Sequence, residues 1–244
     1  DLHSFPTRRS SDLHIVHGPA HSRPPWERID TALIDLDGTL LDLAFDNWFW
    51  LERVPHAYAL AQGLEPADAR ARLMPMYEAH EGTLPWYCID HWSRELALDI
   101  RALKRAAGAR IGWLPGARDW LESLRGAGKR LIVLTNAHPD TFQIKDERTG
   151  VSRYVDGVVS SHTVGHAKED PRFWRAVDAH VAFDRERSLF VDDSLPVLRA
   201  ARDAGVRWIY AVRRAGGAET GEFPGVSAVS DYMEIGRASC RERV

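Results

Sequence analysis

The sequence predicts an α/β fold: a Rossmann-like parallel sheet with helices on both faces, into which an all-helical cap domain is inserted. Three observations predict it. An apolar run at 32–34 ends in the acidic, glycine-containing segment 35–38, as a buried parallel strand does before a sharp turn. Residues 44–112 are rich in Ala, Leu, Arg and aromatic residues and poor in β-branched ones, which favours helices. From Leu114 onward, strand-like and helix-like segments alternate, which implies crossover connections and a parallel sheet.

Each element follows from local pattern. Within the helical segment, Pro66 marks a helix start, and 87–98 and 100–107 are further helices. A helix opens at 115–117 and ends near the glycines at 126–128. Beyond it, we predict strands at 129–135, 154–160, 188–192 and 205–211, helices at 138–148, 171–181 and 195–204, and a glycine-rich loop at 215–225. The expected core domain is therefore 25–43 with 113–234, and the expected cap is 44–112.

The two ends of the chain do not read as protein sequence. A DNA sequence that encodes residues 3–12 has a reverse complement that encodes residues 235–244. This relation is typical of a sequencing adapter translated in both directions. We interpret 1–12 and 235–244 as adapter-derived and exclude them from the fold prediction.

Composition narrows the classes of function. The chain has 244 residues, a formal net charge of −3 and 44% hydrophobic residues, enough for a substantial core. It has no apolar run of about 18 residues, so we expect no membrane span. A mildly acidic chain without a basic stripe argues against a nucleic acid polymer or a membrane surface as partner. Outside the excluded ends, Cys88 is the one cysteine, which fits a reducing cytoplasm.

Reactive side chains follow the strands of the predicted sheet. Asp35 and Asp37 follow the first strand, Thr135 and Asn136 the second, Lys168 lies in the loop after the third, and the fourth ends in the acidic pair 192–193. Because the carboxyl ends of parallel strands share one edge, we expect these groups to converge there. Crowded carboxylates repel, and oxygen ligands without clustered His or Cys point to Mg²⁺. A cation beside a lysine suits a phosphorylated small molecule.

The ordered set DLDGTL (35–40), LTN (134–136), Lys168 and VDDS (191–194) resembles the four motifs of the haloacid dehalogenase superfamily of phosphohydrolases. The resemblance implies that Asp35 is the nucleophile that forms an aspartyl-phosphate and that Asp37 is the general acid and base. It further implies that Thr135 binds a phosphoryl oxygen, that Lys168 neutralises charge, and that the 44–112 segment is a class 1 cap. The implied Mg²⁺ ligands are Asp35, the Asp37 backbone carbonyl, Asp193 and, in an assisting role, Asp192.

These roles agree with elementary chemistry. A carboxylate is a nucleophile at neutral pH without deprotonation. Phosphoryl transfer needs charge neutralisation, and an alkoxide leaving group needs a proton. A halide leaves without a proton, so the second acid, Asp37, favours a phosphatase over a dehalogenase.

Longer stretches, including DGTLLDLAFDNWFW, LPWYCIDHWS, LTNAHP and KEDPRFW, are similar to the bacterial GMP/IMP nucleotidase branch of this superfamily. That similarity implies a purine 5′-monophosphate as substrate and makes Asp46 and Asn47 candidate substrate contacts; a helix N-cap region is the alternative for both. His138 could either contact substrate or cap a helix. Most aromatic residues of the cap are expected to form its core.

The leading hypothesis is therefore a Mg²⁺-dependent phosphohydrolase of purine nucleoside 5′-monophosphates, with a small phosphomonoester as its partner. A phosphatase or phosphomutase for another small phosphorylated metabolite is the second hypothesis. A catalytically silent ligand-binding protein on the same fold is the third, and the presence of Asp35, Asp37, Lys168 and Asp193 speaks against it. The sequence leaves the oligomeric state open.

Overall fold

A computed structural model describes residues 24–212 and, for its backbone, the strand Val226–Val229. The two adapter-like segments, 1–12 and 235–244, and the predicted loop at 215–225 lie outside the described residues. Within the described part of the chain, no helix has the length and apolar character needed to cross a bilayer.

A parallel sheet forms the centre of the molecule, and its six strands follow the order β3-β2-β1-β4-β5-β6. The strands are β1 Thr31–Ile34, β2 Arg130–Thr135, β3 Gly157–Ser160, β4 Ser188–Asp192, β5 Trp208–Val212 and β6 Val226–Val229. Thr31 is in register with Arg130 of β2 on one side and with Ser188 of β4 on the other. The chain order reverses beside β1, and such a switch point opens a crevice at the carboxyl ends of the strands.

An all-helical insert connects β1 to the rest of the sheet. Its helices are α1 Ala44–Trp48, α2 Val54–Gln62, α3 Pro66–His80, α4 Ile89–Leu96 and α5 Ile100–Ala107. A π-helical turn at Phe49–Arg53 joins α1 to α2. The insert has its own apolar core, which contains Phe49, Val54, Leu73, Tyr77, Ile89, Trp92, Leu96 and Ile100. Tyr77 and Trp92 pack edge to face at 5.0 Å in this core, so aromatic residues do supply much of the packing expected of them.

The remaining helices cover both faces of the sheet. They are α6 Ala117–Gly126, α7 Pro139–Thr149, α8 Ser161–Val164, α9 Pro171–Ala176 and α10 Leu195–Asp203. Ile34 packs on one face in a cluster that includes residues of α6 and α7, whereas Leu33 packs on the other with residues of α9 and α10. Both side chains are fully buried, as expected for a central parallel strand. The predicted α/β class is confirmed.

Several predicted elements differ from the structure in their bounds. Strand β3 begins at Gly157 and not at 154, because Tyr154 ends a 3₁₀ turn and the Asp156 carboxylate accepts a 2.7 Å hydrogen bond from the Leu131 N–H. The helix predicted at 171–181 is α9 followed by a 3₁₀ turn at Val177–Ala179. The strand β6 was not predicted.

Two chain segments join the insert to the sheet. They lie side by side, with the Asp42 N–H donating to the Gly112 carbonyl at 3.0 Å and the Leu114 N–H donating to the Leu40 carbonyl at 2.9 Å. Gly38, with φ of 92°, makes the turn that brings the chain from β1 into the first segment. The insert is therefore attached at the carboxyl edge of the sheet, directly beside Asp37.

Candidate active site

Asp35 and Lys168 meet at the carboxyl end of β1. Asp35 continues that strand, and its N–H donates to the Val191 carbonyl of β4 at 2.9 Å. The Lys168 Nζ lies 2.5 Å from Asp35 Oδ1, 2.8 Å from Asp192 Oδ2 and 3.0 Å from the Leu134 carbonyl oxygen. All three N–H donors of the buried ammonium therefore have acceptors. Of the groups that the sequence predicted to converge, the structure thus brings Asp35, Asp192 and Lys168 into direct contact.

Three carboxylates at this edge could hold a cation. Asp35, Asp192 and Asp193 each offer an oxygen, and the three oxygens lie within 4.8 Å of one another. An oxygen-only set of this kind suits a hard cation, so the residues present fit the predicted Mg²⁺. Asp192 is also held by the Ser194 N–H, which donates to its Oδ1 at 2.8 Å.

A second group of polar residues surrounds Lys168. The Thr135 hydroxyl accepts a 3.0 Å hydrogen bond from the Ala137 N–H, and Asn136 Oδ1 accepts one of 2.9 Å from the Lys168 N–H. The other end of the Asn136 amide donates to Glu169 Oε2 at 2.9 Å. The predicted residues Thr135 and Asn136 are thus both buried at the site, and Asn136 positions the loop that carries the lysine.

The helical insert contributes directly to this group. Tyr87 donates its hydroxyl to Glu169 Oε1 at 2.5 Å. Burial raises the pKa of Tyr87 well above its ordinary value, and the Glu169 charge adds to the rise. Tyr87 therefore ties the insert to the residue that follows the lysine. The sequence prediction did not identify either Tyr87 or Glu169.

Asp37 lies at one end of a chain of alternating charges in which the two lysines are buried and the two aspartates are partly buried. The Lys145 Nζ is 2.6 Å from Asp37 Oδ1 and 2.6 Å from Asp46 Oδ2, and the Lys104 Nζ is 2.6 Å from Asp46 Oδ1. Each lysine side chain is only 2% exposed. We name these four residues the charged chain. Sequence reasoning missed both lysines, because a lysine in an amphipathic helix usually faces solvent.

The predicted substrate contacts Asp46 and Asn47 lie inside α1, so neither caps that helix. The first-turn N–H of Ala44 instead donates to Asp42 at 2.9 Å. Asp46 has both oxygens in ion pairs with lysines. Asn47 has a buried amide oxygen to which no group in the described part of the chain donates a hydrogen bond.

The sequence leaves two roles open for His138, substrate contact and helix capping, and the structure shows the second. Its Nδ1 accepts a hydrogen bond from the Asp140 N–H at 3.2 Å, at the start of α7. The capping interpretation of His138 is therefore confirmed.

Burial and charge perturb the acids of the site. Burial raises the pKa of Asp35 to about 6; the Lys168 charge opposes the rise and the Asp192 charge adds to it. Burial likewise raises the pKa of Asp37 to about 6, against Lys145 and together with Asp46 and Asp35. Groups whose pKa is shifted by burial and a charged partner are typical of active sites. A bound cation would favour the ionised form of Asp35.

The pKa values of the two lysines in contact with these acids are raised as well, which for a lysine favours the charged form. Burial opposes protonation of Lys168 and Lys145, but their carboxylate partners outweigh it and raise both pKa values. Each lysine therefore carries a positive charge at neutral pH. For Asp46, the two neighbouring ammonium groups outweigh burial and lower its pKa.

The sequence of this chain is similar to known families of hydrolases. The family model of haloacid dehalogenase-like hydrolases matches residues 29–205. The chain is 39% identical over 216 residues to the GMP/IMP nucleotidase YrfG of Escherichia coli (strain K12), covering 88% of this chain and 97% of that protein. It is 30% identical over 177 residues to the pyrimidine 5′-nucleotidase YjjG of the same organism, covering 68% of this chain and 77% of that one.

Comparison with solved structures supports the fold. The crystal structure of a HAD phosphatase from Thermococcus onnurineus superimposes with a TM-score of 0.76 at 20% sequence identity, covering 88% of this chain and 100% of that one. Because the uncovered share of the chain is smaller than the insert, the similarity includes at least part of both the sheet and the insert.

Proposed function

This chain belongs to the haloacid dehalogenase-like hydrolases, and we propose that it is a Mg²⁺-dependent phosphohydrolase that releases phosphate from purine nucleoside 5′-monophosphates such as GMP and IMP. The observation that carries the proposal is the Lys168 ammonium, 2.5 Å from Asp35 and 2.8 Å from Asp192 at the edge of the sheet. The nucleophile Asp35, the positive charge of Lys168 and the cation-binding Asp192 thus lie next to one another. Transfer of a phosphoryl group needs all three functions.

The substrate class rests on the relatives. Identity is 39% to the purine nucleotidase and 30% to the pyrimidine nucleotidase, and the first similarity extends over more of this chain. Asn47 is proposed as a contact to the leaving group, because its amide oxygen accepts no hydrogen bond within the described residues. A nucleotide substrate and the free thiol of Cys88 fit a cytoplasmic enzyme.

In the first chemical step, a carboxylate oxygen of Asp35 attacks phosphorus and the bond to the nucleoside 5′-oxygen breaks. Asp37 gives its proton to the departing alkoxide, so that a neutral nucleoside leaves. Lys168 offsets the charge of the nucleophile and of the phosphoryl oxygens, and the Thr135 hydroxyl binds one of those oxygens. The product of the step is an aspartyl-phosphate on Asp35.

In the second step, the ionised Asp37 removes a proton from water as the water oxygen attacks phosphorus. The bond between phosphorus and Asp35 breaks, which frees the carboxylate and inorganic phosphate and leaves Asp37 protonated for the next cycle. Asp35, Asp192, Asp193 and the Asp37 backbone carbonyl would hold Mg²⁺, which when bound neutralises charge on the phosphoryl oxygens.

We assign the insert the role of a cap over this site, with residues 44–112 as the cap and 25–43 with 113–234 as the core. The Tyr87 contact to Glu169 supports the assignment, because it places a residue of the insert beside the loop that carries Lys168. A cap in this position would exclude water during transfer and contact the leaving group.

Phosphate release from a panel of esters tests the substrate class. We expect GMP and IMP to be hydrolysed faster than AMP, pyrimidine monophosphates and sugar phosphates, with Mg²⁺ present and not with a chelator. Equal rates across the panel would contradict the purine assignment. Transfer of the phosphoryl group to a second sugar phosphate in place of water would identify a phosphomutase.

The nucleophile is tested by Asp35→Asn. We expect no phosphate release and no acid-stable phosphoprotein, with nucleotide binding retained in calorimetry. Asp119→Asn, at an exposed position in α6, is the matched control and should keep wild-type turnover. Full activity in Asp35→Asn would exclude the aspartyl-phosphate mechanism.

A further inference from the structure

The charged chain connects Asp37 to parts of the molecule that lie far apart in sequence. Asp37 is in the turn after β1, Lys145 is on α7 of the core, Asp46 is on the first helix of the insert, and Lys104 is on its last helix. All three contacts are 2.6 Å long. A displacement of the insert relative to α7 would therefore stretch a short contact to one of these charges.

Burial of the two lysines restrains the charged chain. Lys145 is shared by two carboxylates, so it cannot move toward one without losing the other. The Lys104 ammonium lies 4.6 Å from the centre of the Phe49 ring, inside the apolar core of the insert, where Asp46 is its ion-pair partner. Because both lysine side chains are only 2% exposed, little water can replace their contacts to Asp37 and Asp46, and this restrains the two ammonium groups.

The arrangement has a consequence for proton transfer. Lys145 fixes one oxygen of Asp37 and with it the rotation of the carboxyl group about its Cβ–Cγ bond. A general acid transfers its proton only within hydrogen-bond reach of the leaving oxygen, and small errors of placement are costly. The other three residues of the charged chain are Lys145, Asp46 and Lys104. None of them is assigned to phosphate binding, to cation binding or to nucleophilic attack.

We propose that Lys145 is a positioning residue that aligns Asp37 with the leaving-group oxygen, and that Asp46 and Lys104 make this alignment depend on the insert being seated against α7. The inference rests on the proposed function, since it concerns the acid of that reaction. It assigns to the insert a role in assembling the general acid, in addition to covering the site.

The dependence on leaving group tests this role. A nucleoside 5′-alkoxide needs a proton in order to leave, whereas p-nitrophenolate does not. In Lys145→Met we expect the single-turnover rate of aspartyl-phosphate formation to fall ~100-fold with GMP and less than ~10-fold with p-nitrophenyl phosphate, the range expected for loss of general-acid catalysis. Asp37→Asn should show the same pattern.

A second variant protects the test against misfolding. Asp46→Asn combined with Lys104→Met removes one charge of each sign and leaves Lys145 on Asp37. We expect a loss in the same direction, ~10-fold with GMP and little with p-nitrophenyl phosphate. Lys129→Met is the control, because Lys129 is a partly buried lysine that binds the Trp26 and Ile29 carbonyls away from the site. It should leave the ratio of the two rates unchanged.

The outcomes separate the two proposals. A wild-type protein that cleaves neither ester would overturn the proposed function and this inference with it. If the wild type cleaves both, and the folded variants lose both rates equally or neither, the positioning role is overturned while the phosphohydrolase activity stands. A selective loss on the alkyl ester in either variant supports the inference.

Discussion

At the scale of single residues, buried lysines shape this site. Lys104, Lys145 and Lys168 each have side chains that are 2% exposed, and each contacts at least one aspartate. Motif spacing identified only Lys168 in advance. Lys104 and Lys145 are buried because α5 and α7 pack together, and a tertiary contact of that kind leaves no local pattern in the sequence. The acids could be predicted from the sequence, but their partners within the charged chain could not.

His162 provides a pH-dependent readout. Burial lowers the pKa of His162 to about 4, and the charge of the neighbouring His138 acts in the same direction. In the unfolded chain the pKa of a histidine is ~6.5. Between these values the unfolded chain binds a proton that the folded protein does not, so the free energy of unfolding falls as the pH falls from the higher value to the lower.

We therefore expect His162→Gln to lose less stability on acidification than the wild type. Between pH 7.5 and pH 5 the difference should be on the order of 1–2 kcal/mol in urea unfolding. His56→Gln, at an exposed position of α2, is the control and should follow the wild-type pH dependence. Parallel curves for wild type and His162→Gln would contradict the assignment of a neutral, buried imidazole.

At the scale of elements, the turn after β1 determines where Asp37 lies. Gly38 has φ of 92°, and its N–H donates to the Leu41 carbonyl at 2.8 Å. The Leu36 carbonyl accepts from both Leu40 and Leu41, at 2.9 and 2.8 Å. Hydrogen bonds thus fix the turn before and after Gly38. The backbone of Gly38 has a positive φ, which is unfavourable for a residue with a side chain.

Gly38→Ala should destabilise the protein by about 1–2 kcal/mol, since a β-carbon is strained at this φ. We also expect phosphate release to fall, because the strain would move Asp37. Gly126→Ala is the matched control: this glycine ends α6 and open space surrounds the position of its added β-carbon, so the change should be neutral or stabilising by a few tenths of a kcal/mol. Equal thermal unfolding of the two variants would argue against a required left-handed turn.

The elements also show where sequence patterns succeed. Strand β4 and helix α5 were predicted with the bounds that the structure has, because each is bordered by clear polar or capping residues such as Asp99. Strand β5 begins at Trp208 and not at 205. The turn before it contains Gly205 and the apolar Val206, which made the turn resemble the start of the strand. The short β6 follows a glycine-rich stretch and has little periodicity to reveal it.

At the scale of the whole molecule, polar contacts connect the insert to the core around the site. Tyr87 reaches Glu169, and Arg101 forms ion pairs with Asp140 of the core and Asp90 of the insert. The Arg101 pairs are well exposed and contribute little to stability. The Tyr87 hydroxyl donates to a carboxylate at 2.5 Å, a charge-assisted hydrogen bond that should contribute more.

A double-mutant cycle with Tyr87→Phe and Glu169→Gln should give a coupling energy of about 1–2 kcal/mol in urea unfolding. Tyr58→Phe, in α2, is the control and should change stability by less than about 0.5 kcal/mol. Strictly additive effects of the Tyr87 and Glu169 changes would show that this hydrogen bond does not hold the insert in place.

Metal binding should stabilise the whole fold. We expect Mg²⁺ at about 100 times its dissociation constant to add ~2.7 kcal/mol to the free energy of unfolding, with a matching rise in melting temperature that a chelator reverses. Asp193→Asn should abolish most of the rise, because it removes one of the three converging carboxylates. A rise of equal size in this variant would place the ion elsewhere.

The central position of β1 also has a consequence for biosynthesis. This early segment pairs with Arg130–Thr135 and Ser188–Asp192, both of which leave the ribosome much later. Until then, the nascent chain exposes an apolar strand without hydrogen-bonding neighbours. The insert follows that strand directly and has a separate apolar core, so it can fold before the later strands are synthesised. Its folding would shorten the flexible segment between β1 and the strands that pair with it, and so lower the entropy cost of pairing.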